Sequence, residues 1–462
     1  MEFPRILIGG TSSRVGKTLV SIGLMRALVN RGYVVQPYKV GPDFIDPSFH
    51  FFATGRPSRN LDSFMMEKKD IIEVFERGFK GADMAVIEGT MGFYDSHNAI
   101  DEKGSTAEIS KILKCPVLLV ANVERMSRTA ASLPLGYKLF DSKVKIEGAI
   151  LNRVGNERHA RKVRLAVEKL AGIKVVGVIP RRKDVIIPDR HLGLIPAFER
   201  DEFIEIFDKL AEVVEKHVNV DEVINIAYNA PEIELIEKDE LFNKSLDKEV
   251  KIGVFKDKVF TFYYQDNLDA LIANGAEICY IDSLKDKKLP EVDALYIGGG
   301  FPEVFAAELE KNRKLRNKIY EFCNSGKPVY AECGGLMYLG KILRTFEKEE
   351  YEMVGFIPIE IEMFRKFQAL GYSVYEVIKD NVISKAGDVL VGHEFHYSRV
   401  TKMKDKLKFA FRVKRGKGII DGYDGIMLKN TLANYIHLHV KSYPELVKRF
   451  IHFAKSQKDK TN

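Results

Sequence analysis

Two stretches of this chain hold residue types that could carry out phosphoryl or covalent chemistry. The first is Gly10-Thr11-Ser12-Ser13-Arg14-Val15-Gly16-Lys17-Thr18. Backbone N–H groups in such a loop favour anionic oxygens, Lys17 reaches β- and γ-phosphates, and the Thr18 hydroxyl suits Mg²⁺. Five residues separate Gly10 from Gly16 where four are usual. The stretch is nonetheless expected to bind a nucleoside triphosphate. The second is Glu332-Cys333-Gly334-Gly335. Glycines rather than packing residues flank this thiol on one side, which permits the sharp turn that exposes a nucleophile. A free thiol with pKa about 8.5 is only a few per cent ionised at pH 7, so a helix end and a histidine must activate it. Cys115, Cys279 and Cys323 lack this setting and read as small buried side chains. There is no CxxC pair and no zinc spacing.

Further polar residues fall where strands should end. Asp43 and Asp46 lie in GPDFIDPSFH, Glu88 closes an apolar run and Asp95 follows in the same loop, and Asn152 ends another run. In open α/β sheets ligands bind outside the carboxyl ends of strands. Glu88 with Thr18 is therefore expected at Mg²⁺, Asp43, Asp46 and Asp95 at metal or substrate, and Asn152 at the nucleobase edge. A basic loop, residues 180–198, offers Arg181, Arg182, Lys183 and Arg190 to a substrate rich in carboxylates, and His191 in it reads as structural. Gly298-Gly299-Gly300 can bring backbone N–H groups close to a ligand, as an oxyanion hole requires. Two histidine pairs are available as base for Cys333, His393 with His396 and His437 with His439. Order along the chain does not choose between them. A metal site at these imidazoles is the rival reading, and it lacks an evident third ligand.

The elements that must position these groups repeat. Apolar runs at 6–8, 34–40, 83–87, 116–121, 146–151 and 175–179 alternate with helical stretches, which indicates a mostly parallel sheet. The helix after Lys17 stops at Arg31-Gly32. An acidic, irregular tract follows, and strand–helix alternation resumes near Lys251 with runs at 252–254, 276–281, 294–297 and 329–331. The expected organisation is an ATP-binding domain over 1–222, a linker over 223–250, an α/β thiol domain over 251–450 and a basic tail over 451–462. With 72 Lys and Arg against 65 Asp and Glu, the net charge of +7 admits an acidic small molecule without arguing for nucleic acid. No apolar run approaches the length of about 18 residues needed to span a membrane. The early first strand leaves no room for a signal peptide, and the chain is expected to be cytoplasmic with reduced thiols. A homo-oligomer is left open.

The pieces GTSSRVGKT, KVGPDFIDPSFH, IEGTMGFYD, RHLGL, GGGFPE, YAECGG, GHEFHYS and YIHLH together resemble the cobyrinic acid a,c-diamide synthase family, whose methanogen members include the nickel-sirohydrochlorin a,c-diamide synthase. The resemblance runs over about residues 4–445. It implies a dethiobiotin-synthetase-like P-loop domain fused to a class I glutamine amidotransferase (flavodoxin-like) α/β domain. It also implies Cys333 as glutaminase nucleophile and His437 as its base, with oxyanion donors at Gly299, Gly300 and Gly334. Many class I enzymes finish the triad with His-Pro-Glu, whereas this chain has His437-Leu438-His439, so the group that orients His437 is missing from the motif. The expected reaction is ATP- and glutamine-dependent amidation of two acetate side chains of a tetrapyrrole polycarboxylate through an acyl phosphate, with ammonia passed along an enclosed route. The tetrapyrrole, cobyrinate or nickel sirohydrochlorin, stays open. The alternatives are a cobyric acid synthase-like amidase and a P-loop partitioning or scaffold ATPase with an inactive amidotransferase tail.

Overall fold

A computed structural model describes residues 3–182, 200–234, 240–243, 247–404 and 407–461. The chain divides into two compact units, Met1–Glu237 and Lys238–Asn462. The first unit carries β1 (Arg5–Gly10), α1 (Lys17–Asn30), β2 (Val35–Val40), α2 (Ile45–Thr54), β3 (Arg59–Leu61), α3 (Lys68–Phe79), β4 (Met84–Glu88), α4 (Thr106–Ile112), β5 (Val117–Asn122), α5 (Ser132–Phe140), β6 (Ile146–Val154), α6 (Glu157–Ala166), β7 (Val175–Pro180), α7 (Arg200–His217) and α8 (Val220–Tyr228).

Its sheet runs β3-β2-β4-β1-β5-β6-β7, with every pairing parallel. Parallel strands are covered on both faces, so their sequences run continuously apolar instead of alternating; all six residues of β1 are buried. β1 lies between β4 and β5, pairing Ile8 with Glu88 and Gly10 with Val120. The carboxyl ends of β1, β2 and β4 therefore lie side by side. Helix α1 packs against α7 so closely that a Cβ on Gly23 would lie 2.7 Å from Val214 Cγ2. Arg26 pairs with Asp208 beside that contact, at 2.6 Å.

The second unit carries α9 (Glu240–Asn243), β8 (Val250–Phe255), α10 (Gln265–Ala273), β9 (Ala276–Ile281), β10 (Ala294–Ile297), α11 (Ala306–Lys311), α12 (Arg313–Asn324), β11 (Val329–Glu332) and α13 (Gly334–Leu339). There follow β12 (Ile342–Arg344), β13 (Glu350–Glu352), β14 (Ile359–Met363), β15 (Ala369–Val377), β16 (Val389–His396), β17 (Ser398–Met403), β18 (Lys408–Arg415), β19 (Tyr423–Leu428), β20 (Thr431–Asn434) and α14 (Glu445–Thr461). A nine-stranded sheet runs β16-β15-β18-β19-β20-β11-β10-β8-β9, parallel from β20 to β9 and antiparallel over the rest, and β13-β12-β14-β17 form a smaller sheet. Among the described residues no helix is long and apolar enough to cross a membrane.

Two expected boundaries shift. The stretch expected as a linker from residue 223 is partly structured in the first unit: α8 buries Val220, Val223, Ile226 and Ala227, and the Arg5 guanidinium donates to the Pro231 carbonyl. The expected basic tail from residue 451 is the body of α14, which buries Ile451 and Ala454 in the core of the second unit. Its lysines crowd the solvent side and mask a helical apolar stripe.

Candidate active site

The loop from Gly10 to Gly16 closes over the tip of β1, and Gly16 caps α1 with φ +101°, a conformation that favours glycine. The Lys17 ammonium donates to the Ser12 carbonyl at 3.2 Å and to the Met91 carbonyl. Burial, then the Lys39 charge, lowers its pKa to about 8 against the opposing pull of Glu88, Asp46 and Asp95. Tyr137 ties the loop by donating to the Thr11 carbonyl.

Glu88 is fully buried at the tip of β4. Its Oε1 accepts from Thr18 Oγ1 at 2.7 Å and from Lys39 Nζ at 3.1 Å, and its Oε2 meets His50 Nε2 at 2.7 Å. Burial opposes its charge, yet Lys39 and His50 outweigh burial and hold the carboxyl well below the usual range. Lys39 Nζ also pairs with Asp46 Oδ2 at 2.7 Å and donates to the Gly89 carbonyl. Burial disfavours this ammonium, but Asp46 and Glu88 keep it firmly protonated. His50 Nδ1 meets Ser58 Oγ at 3.0 Å.

This network gives the expected ligands protein partners. Both oxygens of Glu88 meet protein donors, and its Oε1 holds the Thr18 hydroxyl. Asp46 is a buried counter-ion to Lys39. Asp43 accepts from the Ile45 N–H at 2.7 Å, an Asx-turn that opens α2, with its other oxygen 4.0 Å from Lys39. Asp95 accepts from the Gly92 N–H at 2.8 Å and braces the loop facing Lys17. Asn152 lies against the phosphate loop: its Nδ2 donates to the Val15 carbonyl and its Oδ1 accepts from the Arg153 N–H, both at 2.8 Å. These bonds brace the loop and use one of the two amide N–H donors. Arg190 and His191 lie outside the described residues. Among the described residues no three His, Cys, Asp or Glu side chains gather as a metal cage. A hydroxyl backed by a carboxylate fits an ion such as Mg²⁺, which takes most of its ligands from phosphates and water.

In the second unit Cys333 stands between β11 and α13 with φ +44° and ψ −94°, a strained turn for a residue with a side chain. Its N–H donates to the Asn434 carbonyl of the adjacent strand β20 at 2.7 Å, and Sγ lies 3.8 Å from the Phe395 carbonyl. The three candidate oxyanion glycines converge here. A Cβ on Gly334 would lie 2.9 Å from the Gly300 nitrogen, one on Gly299 2.6 Å from His437 Cε1, and one on Gly300 1.8 Å from the Val259 carbonyl oxygen. Burial pushes the Cys333 thiol up, and the Glu303 and Glu332 charges add to it.

His437 Nδ1 meets Glu332 Oε2 at 3.2 Å, and Tyr330 donates to Oε1 of the same carboxylate at 2.6 Å. A carboxylate only accepts, so the proton sits on Nδ1 and Nε2 is the basic nitrogen. His396 is engaged elsewhere: Nδ1 meets the Ser398 carbonyl at 2.8 Å, Nε2 meets Glu394 at 3.4 Å, and Tyr435 stacks on its ring at 3.7 Å. His439 faces Asp266 at 3.6 Å, and His393 pairs by backbone with His437. Of the four imidazoles, His437 is the one against the loop that packs on Gly334, with its Cε1 2.6 Å from the Cβ that Gly299 lacks. Sequence reasoning missed Lys39, His50 and Glu332. A lysine inside an apolar strand and a glutamate immediately before the nucleophile were the available signals.

Residues 6–195 match the family model described as a CobQ/CobB/MinD/ParA nucleotide binding domain, and residues 251–445 match the CobB/CobQ-like glutamine amidotransferase domain. A cobyrinate a,c-diamide synthase from Archaeoglobus fulgidus is 61% identical over 99% of both chains. The chain belongs to the cobyrinate a,c-diamide synthase family. Proteins of that name from Methanothermobacter thermautotrophicus (46% identity, 96% of this chain and 98% of its own) and Dehalococcoides mccartyi (42%, 98% and 99%) are similar from end to end. Membership makes the chain a glutamine-dependent amidating ligase with an ATP-binding domain. In this cobyrinate a,c-diamide synthase fold the two matched domains hold the two sites just described.

Proposed function

We propose that this chain amidates the a and c acetate side chains of cobyrinate, with glutamine as nitrogen source and ATP as activator. One observation carries the reading: an end-to-end relative at 61% identity bears that name, and this chain retains a phosphate loop with Lys17 and a strained Cys333 turn with His437.

Cys333 Sγ attacks the glutamine side-chain amide as His437 Nε2 accepts its proton. Backbone N–H groups around Gly299, Gly300 and Gly334 take the developing oxyanion, and His437 returns the proton to the departing ammonia. Glu332 keeps His437 in the tautomer this needs, filling the place of the acid missing after His437. Water then hydrolyses the glutamyl thioester. In the first unit a substrate carboxylate oxygen attacks the γ-phosphorus of ATP and ADP departs, leaving an acyl phosphate. Ammonia displaces inorganic phosphate from it to give the amide. Lys17 and Lys39 supply fixed positive charge beside the transferred group. Mg²⁺, carried in on the phosphates beside Thr18, would neutralise the same charge. Asp43 and Asp95 border the place where the carboxylate must lie, and Arg190 is proposed as a carboxylate contact. We place the enzyme in the cytoplasm.

The test is to supply ATP, Mg²⁺, glutamine and either cobyrinate or nickel sirohydrochlorin, and to weigh the products. Gain of two amides on cobyrinate with two ADP formed supports the reading. Amidation of the nickel macrocycle alone would move the substrate assignment, and ADP formation without amides would end it.

A further inference from the structure

The loop after β10 carries a carboxylate that the mechanism above leaves unused. Glu303 follows Gly299-Gly300-Phe301-Pro302. Pro302 Cδ lies 3.2 Å from the Cβ that Gly334 lacks, and the Gly300 nitrogen lies 2.9 Å from it, so this loop rests on the turn that presents Cys333. The Oε2 atom of Glu303 is buried and has no hydrogen-bond partner among the described residues. After burial itself, the Glu303 charge is the foremost influence pushing the Cys333 thiol up. Burial lifts the Glu303 carboxyl to about 7. A buried carboxylate oxygen without a partner is costly, and a cationic ligand would offset that cost. In this pocket the reacting ligand is an α-amino acid, whose ammonium lies three carbons from the amide that Cys333 attacks.

We propose that Glu303 receives the α-ammonium of glutamine, and that this ion pair cancels a negative charge in the loop that rests on the Cys333 turn. The inference rests on the glutaminase reading of Cys333. Recognition and activation then become one event. Without an amino acid, the Glu303 charge adds to burial in favouring the protonated thiol. With glutamine seated, the pair is neutral and the proton can pass from sulfur to His437. A dicarboxylic or simple amide compound without the ammonium would enter the pocket but would not relieve the thiol.

The test measures ammonia release from L-glutamine and from glutaramate, which keeps the amide and carboxylate and lacks the ammonium. Wild-type enzyme should prefer glutamine by roughly 10- to 100-fold in kcat/KM, the scale of one charge-assisted hydrogen bond. Glu303→Gln should erase most of that preference by raising KM for glutamine, and alkylation of Cys333 by iodoacetamide in the absence of amino acid should set in at lower pH. Should Glu303→Gln not fold, Glu303→Asp keeps the charge and should give an intermediate KM. Equal use of both amides by the wild type, or a variant with lower kcat and unchanged KM, would overturn the proposal. Release of ammonia from neither amide by the wild type would instead overturn the glutaminase reading beneath it.

Discussion

The two sites solve opposite electrostatic problems. Around β4 every buried charge in the network has an opposite: Lys39 lies against Asp46 and Glu88, and Glu88 against His50 and the Thr18 hydroxyl. Around β11 the charges are of one sign, with Glu303, Glu332 and Asp424 all pushing the Cys333 thiol up after burial has done so. Asp424, fully enclosed, is itself lifted to about 7 by burial and then by Glu394. The first site is therefore set before its ligand arrives, apart from Lys17. In the second, acids around the thiol add to burial in favouring its protonated form. A phosphoryl-transfer site needs fixed charge in place at the moment of reaction. A thiol site benefits from having none until substrate is bound, since a standing thiolate invites oxidation.

The comparison breaks most sharply at the two chemical groups. Cys333→Ala should reduce glutamine-driven amidation to the background rate while amidation with an ammonium salt persists, read by product mass with each nitrogen source. Loss with both sources would make the thiol structural. Lys17→Ala should stop amidation with either source, since no acyl phosphate forms; ADP release measures it. Next in size is Lys39→Met, which removes the cation that Glu88 and Asp46 share. Denaturant unfolding should show a loss of about 3–5 kcal/mol, the cost of breaking a buried pair. A loss below about 1 kcal/mol would mean that the network is not closed in the way described.

Glu332→Gln should lower glutaminase kcat by roughly 100-fold with little change in KM, since it disturbs the orientation of His437 and not the seating of glutamine. A change in KM alone would assign Glu332 to binding. The smallest effect concerns pH. Lys17 has its pKa lowered to about 8 in the ligand-free protein, and phosphate favours its charged form. ATP binding should therefore take up protons near pH 8 and weaken as pH rises through that value. Calorimetry in buffers of different ionisation enthalpy reads the proton count, and zero uptake at pH 8 would remove this lysine from the phosphates.

Much of this was legible in the chain because the decisive groups lie in short local motifs. The β1 run, its glycines and Lys17 announce a phosphate loop through adjacent residues, and the Cys333 turn does the same. What escaped reading depends on neighbours across the sheet. Lys39 and Glu88 are 49 positions apart and meet because β2 and β4 pair in register, Lys39 opposite Glu88. Asn152 ends a strand, and its contact with the Val15 carbonyl spans 137 positions that the local sequence does not connect. The antiparallel strands β15, β16, β18 and β19 follow one another without helices between them, so the extension of the second sheet could not be drawn from a strand–helix rhythm. Charge masked α14, whose lysines read as a solvated tail while Ile451 and Ala454 entered the core.

Glu332 and Cys333 share one peptide bond. In a triad whose acid sits elsewhere, folding must bring three separate segments into agreement. Here the separation between acid and nucleophile is inherited from covalent geometry, and only the segment carrying His437 has to be docked correctly. Any insertion or deletion that slides the strand tip would carry both groups together, so the one interval in this centre that drift can spoil is the distance to the imidazole.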